Sequence, residues 1–166
     1  MSLFQHISKF SILLLISLIT VFAQDFVQIT SPTSNQVFGS KVDVPIHYNI
    51  IGAQTLEPPP ANATYPSSIK LTFQWLSKGT TDNPLNFTAV NSLAAKPFVA
   101  GFQNKQYTGS WKTPNCHFFS RYNPNNYDFS LVFTPIYNAN ALPDQQQDPI
   151  SIPIGIQVNN ATFPKC

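Results

Sequence analysis

Ile150-Ser151-Ile152-Pro153-Ile154-Gly155-Ile156-Gln157-Val158 alternates aliphatic with small or polar residues over nine consecutive positions. Successive side chains of a β-strand point to opposite faces, so this order builds one apolar and one polar face and fits no helical period. Three earlier stretches repeat the pattern. Tyr127, Phe129, Leu131 and Phe133 alternate with Asp128, Ser130 and Thr134; Ile69, Leu71, Phe73 and Trp75 alternate with Lys70, Thr72 and Gln74. Val42, Val44, Ile46, Tyr48 and Ile50 alternate with Lys41, Asp43, Pro45, His47 and Asn49. These four runs supply a core. Weaker strands are predicted from Phe26 to Thr30, around Phe87 to Val90 and from Phe98 to Trp111, about seven in all.

Fifteen prolines leave few stretches of ten residues able to keep a helical hydrogen-bond ladder, so no helix is predicted. Pro45 and Pro153 fall inside strand patterns, where the missing N–H confines them to sheet edges or bulges. The fold class that follows is all-β, an immunoglobulin- or fibronectin-like β-sandwich. Trp75 on the third strand then takes the position where such sandwiches bury a tryptophan, and Tyr127 that of the tyrosine corner.

The N-terminus reads as a secretory signal. Lys9 precedes an apolar run from Phe10 through Phe22, and Val21 and Ala23 stand at the positions before a cut. The run is shorter than the roughly 20 residues of a membrane span. Residues 1–23 are therefore expected to be a signal peptide and residues 24–166 a single domain, secreted and without a membrane span after processing. The final residues, 160–166, lack the hydrophobic tail that directs a lipid anchor.

Without Lys9 the net charge is near +1, which offers no electrostatic footprint for nucleic acid. Charged residues make up 10% of the chain, so amides, hydroxyls and prolines dominate its surface. Cys116 and Cys166 have one intramolecular pairing available in an oxidising compartment, and a disulfide between them would tie the C-terminus to the middle of the chain. Asn62-Ala63-Thr64, Asn86-Phe87-Thr88 and Asn160-Ala161-Thr162 are N-glycosylation sequons, each implying an exposed loop.

Catalytic chemistry finds no constellation. Glycoside hydrolysis needs two carboxylates flanking one bond, and Asp144 and Asp148, which come nearest to a pair, share a Gln-rich solvated loop. His47 and His117 lack the three or four convergent ligands of a zinc or copper site, and no cofactor is expected. Copper-dependent polysaccharide oxidases are also secreted sandwiches, but they begin with histidine where cleavage here leaves Gln24. Binding demands less. Tyr107, Trp111, Phe118, Phe119, Tyr122 and Tyr137 lie in or beside loops and form either an exposed platform or caps on the ends of the core.

Phe26-Val27-Gln28-Ile29-Thr30-Ser31-Pro32, followed by Val37-Phe38-Gly39-Ser40-Lys41-Val42-Asp43-Val44, resembles the opening of a fungal cell-wall domain. That domain is the N-terminal one of the yeast cell-wall β-glucan synthesis proteins and of the Ser/Thr-rich GPI-anchored membrane family. Tyr107 to Pro114, Tyr127 to Leu131 and Ile152 to Val158 resemble its later strands. Pro45, His47, the longer loops and the missing Ser/Thr-rich stalk depart from it. The resemblance implies a secreted, cell-wall-associated sandwich with no catalytic residues to carry over. The expected function is therefore non-catalytic, at the cell wall or in the extracellular matrix, with a polysaccharide as partner. A protein-binding inhibitor or effector is the alternative, and a hydrolase has no residue set.

Overall fold

The computed structural model describes residues 25–158. These residues form eight strands in two sheets. The first contains β1 (Val27–Ser31), β3 (Asp43–Ile50) and β6 (Lys105–Lys112), in the order β1-β3-β6. The second contains β2 (Gln36–Gly39), β4 (Ser68–Ser77), β5 (Leu85–Ala94), β7 (Tyr127–Ile136) and β8 (Ile150–Gln157), in the order β2-β8-β7-β4-β5. Neighbours are antiparallel except β2, which runs parallel to β8.

This is an immunoglobulin-type sandwich. β3 and β6 pair in one sheet, β4, β7 and β8 form the centre of the other, and β5 extends that second sheet as the extra strand of variable-type domains does. The first strand is divided, β1 joining one sheet and β2 the other.

The alternating residues meet between the sheets as their period requires. Val44, Ile46, Tyr48 and Ile50 face Ile69, Leu71, Phe73 and Trp75, with Phe129, Leu131, Phe133, Ile154 and Ile156 beside them, all buried. Each fully buried aliphatic or aromatic side chain contributes roughly 1.5–3 kcal/mol, which makes this set the main source of stability. Val42 departs from the pattern. It precedes β3 and stays 43% exposed, its backbone N–H donating to Thr113 Oγ1 at 2.9 Å.

Both strand prolines sit where a donor is not needed, although neither strand is an edge. The Pro45 carbonyl accepts from Ser31 Oγ at 3.0 Å, so its N–H-less nitrogen faces the β1 side, where the register shifts between Ile29 and Ser31. The Pro153 carbonyl accepts from Asn35 N at 2.7 Å, and β2 begins pairing with β8 only at the next residue, Ile154.

Three elements differ from the sequence reading. β2 is an eighth strand, four residues long with one buried side chain, too short to show a period. The strand expected from Phe98 begins at Lys105, because Pro97 and the left-handed backbone of Ala100 and Gly101 turn the chain first. A helix, α1 (Cys116–Arg121), occupies an expected loop. Asn115 caps it by accepting from Phe118 N at 3.0 Å, and Phe119 fills the core beneath it. Its six residues fit between Pro114 and Pro124, and so escape the proline argument.

The topology gives the sandwich two unlike ends. At one, α1 and the β7 start lie over the aromatic part of the core. The other gathers the β3–β4, β5–β6 and β7–β8 connections, and is the end whose loops form the binding surface of antibody variable domains.

Candidate functional site

Phe98, Val99 and Phe102 project from the β5–β6 connection at the loop end, with 45%, 94% and 69% of their surfaces exposed. A solvated connector has no physical need for three large apolar side chains in five residues, and such clusters mark contact sites.

The tip is held, not loose. Ala100 and Gly101 follow one another at φ 61° and 67°, the left-handed region that glycine tolerates and alanine occupies at a cost. This reverses the chain so that Val99 stands at the apex. Behind it, Gly52 packs against the Gly101 and Gln103 carbonyls so closely that a Cβ at Gly52 would lie 2.7 Å from the Gln103 oxygen. Asn104 Oδ1 accepts from Gly52 N at 2.9 Å and from Thr55 Oγ1 at 3.2 Å, joining the β5–β6 connection to the β3–β4 connection. Tyr65 Oη accepts from Ala53 N at 2.6 Å, and its ring lies 4.6 Å from Phe26.

The third connection is bound to the same frame. Gln145 Oε1 accepts from Thr64 Oγ1 at 2.7 Å. Buried Gln147 acts as a missing strand, its Oε1 accepting from Val27 N at 2.8 Å while its Nε2 donates to Val27 O at 2.9 Å. Lys105 Nζ lies 5.5 Å from the Phe98 ring centre and 5.0 Å from that of Tyr107, and Leu142 is a further exposed apolar residue at this end.

The six aromatics singled out from the sequence do not form a platform. Trp111 and Phe119 are buried, and Trp111 lies 5.0 Å from Phe73 across the core. Phe118 and Tyr122 are half-buried, each 4.9 Å from Trp75. Tyr107 stacks on Tyr48 at 5.4 Å and donates to Lys96 O at 2.8 Å. Tyr137 Oη accepts from Gln147 N at 3.0 Å, and burial raises its pKa while that hydrogen bond lowers it and Asp25 raises it. Burial, with a smaller contribution from Tyr107, pushes Tyr48 up to about 12. The alternative reading, caps on the core, describes Trp111, which the register of β6 turns inward, and Phe118 and Phe119, which α1 folds onto the core. Trp75 is buried as expected, with its Nε1 unpartnered, and Tyr127 meets Tyr122 edge-on at 5.5 Å.

The sequence reading passed over Phe98, Val99 and Phe102 because they were assigned to a strand. The signal was present: adjacent Phe98 and Val99 break the period of two, between Pro97 and Gly101.

Asn62 is exposed in the β3–β4 connection, whereas Asn86, expected in a loop, is exposed inside β5. Asn160, Cys166 and the expected signal peptide lie outside the described residues. Asp144 and Asp148 are both exposed, as are the other five carboxylates, His47 and His117. Among the described residues no three His, Cys, Asp or Glu gather as metal ligands, and no helix is long and apolar enough to cross a membrane. A surface cleft of about 260 Å³ opens between β7 and β8, where their pairing stops at Phe129 and Ile154, and is lined by Lys78 and Asp128 among others.

No family model matches the chain, and no curated protein matches it. Among solved structures it is similar to Spo0M, a sporulation control protein from Bacillus subtilis, with a TM-score of 0.44 and 9% identity. The alignment covers 82% of this chain and 51% of that one, so the chain spans about half the length of Spo0M.

Proposed function

We propose that the chain is a secreted, non-catalytic binding module of the cell wall or extracellular matrix, and that it grips a protein partner through the Phe98–Phe102 tip. The observation that carries this reading is the apolar tip itself, raised on a braced turn at the loop end. A braced tip loses little conformational freedom on binding, so more of its burial energy reaches the complex. Val99 is branched and aliphatic. It suits an apolar pocket on a protein better than the face of a sugar, and of the aromatics expected to stack on polysaccharide Trp111 and Phe119 are buried while Tyr107, Phe118 and Tyr122 pack against the core.

The signal-like N-terminus, the sequons and the resemblance to fungal wall domains support an extracellular place. The exposed Asn62 fits it too. A disulfide between Cys116 and Cys166 belongs to the same reading. β8 ends at the same end of the sandwich as α1, and the eight residues after Val158 can span about 26 Å.

The test places a photo-crosslinking residue at Val99, with a second at Thr108 on β6 as control, in the secreted protein exposed to extracellular proteins. Capture specific to position 99 names the partner, and its affinity for the purified chain is then measured. Replacing Phe98, Val99 and Phe102 together by serine is expected to weaken binding at least about 100-fold, given roughly 1.5–3 kcal/mol for each buried side chain. Saturable binding to insoluble β-glucan or chitin that survives this replacement would instead return the function to polysaccharide.

A further inference from the structure

Among the described residues four strands end a sheet with one side unpaired, and three are protected by their own construction. An open strand edge offers unpaired N–H and C=O groups to another chain, which folded proteins prevent with short strands, charges, prolines or bulges. β1 has five residues, and the Gln147 side chain covers Val27. β2 has four. β6 carries Lys105 and Lys112 at its two ends.

β5 is different. Its ten residues, Leu85-Asn86-Phe87-Thr88-Ala89-Val90-Asn91-Ser92-Leu93-Ala94, include no charge and no proline. Register shifts opposite Ile69, Leu71 and Thr72 break up its second half. Its first half is regular, with Leu85, Asn86, Phe87 and Thr88 opposite Trp75, Gln74, Phe73 and Thr72 in continuous register. This is the segment best able to accept a strand from another molecule, and the Asn86-Phe87-Thr88 sequon falls within it. Asn86 and Thr88 are exposed while Phe87 turns inward, its ring 5.4 Å from Phe73.

We infer that Asn86 carries an N-linked glycan whose task is to keep the regular half of the β5 edge from pairing with a second copy. A bulky hydrated oligosaccharide there occupies the space a docking strand would need, and does for β5 what lysines do for β6. The inference rests on the secretion proposed above.

The test uses the full chain made in a eukaryotic secretory host, with glycan occupancy read by peptide mass and association by light scattering over a concentration series. The wild type is expected to be occupied at Asn86 and monomeric. Asn86→Gln and Thr88→Ala both remove the sequon, and both are expected to give a mass that at least doubles as concentration rises, with the urea midpoint unchanged. Thr88→Lys also removes the sequon but puts a charge on the edge, and is expected to stay monomeric without a glycan. The inference is overturned if Asn86 is empty while Asn62 is occupied, or if Asn86→Gln stays monomeric. A chain that remains in the cell with every sequon empty would overturn the secretion reading as well, which separates the two failures.

Discussion

At the α1 end, Phe73, Trp75, Phe118, Phe119 and Phe129 close on one another with ring centres 4.9 to 5.9 Å apart, while at the loop end Phe98, Val99 and Phe102 stand in water. Phe73, Trp75 and Phe129 belong to the clean alternating runs, whereas Phe118 and Phe119, like the three tip residues, lie outside them. What separates the helix pair from the tip is the element carrying each: a capped helix folds its apolar side onto the core, whereas a left-handed turn lifts its apolar residues away. Apolar side chains in a connection therefore hold the fold at one end and are free to meet a partner at the other.

The largest expected effect belongs to the closed end. Phe119 is fully buried, and Phe119→Ala should lower the unfolding free energy by about 3–5 kcal/mol in urea denaturation. A loss below about 1 kcal/mol would mean that α1 does not seal the core. Gln147→Ala probes the frame of the open end. It strips Val27 of both side-chain partners, so a loss of about 2 kcal/mol is expected, with faster amide exchange confined to β1 and the β7–β8 connection.

A pH-dependent effect comes from Tyr48, whose hydroxyl donates to Ala94 O at 2.8 Å. Its folded-state pKa, raised from 10.0 to about 12, means that the folded chain keeps the proton longer than the unfolded one. The resulting stability is complete below pH 10 and lost as pH rises toward 12. Urea midpoints measured across that interval should fall, and less steeply in Tyr48→Phe.

The fold was legible wherever a strand was long and one face was buried. Val44 to Ile50, Ile69 to Trp75, Phe129 to Phe133 and Ile154 to Ile156 all stand on the core side their period assigned. β2 was illegible because four residues carry no period, and α1 because proline content averaged over the chain hides one short gap between Pro114 and Pro124. The candidate site was largely hidden. Whether Trp111 or Phe102 reaches solvent depends on a strand's inward register in one case and a positive-φ turn in the other, and composition records neither.

The smallest expected change in stability is at the tip. Val99 and Phe102 lie mostly in water and Phe98 about half, so replacing all three by serine should change the unfolding free energy by no more than about 1 kcal/mol. The decisive measurement is the affinity of that triple variant for the partner crosslinked at Val99, made beside its unfolding curve. Binding weakened at least about 100-fold with stability kept within that limit is the expected result. Unweakened binding, or a collapse in stability comparable to that of Phe119→Ala, would contradict the assignment of the loop end to recognition.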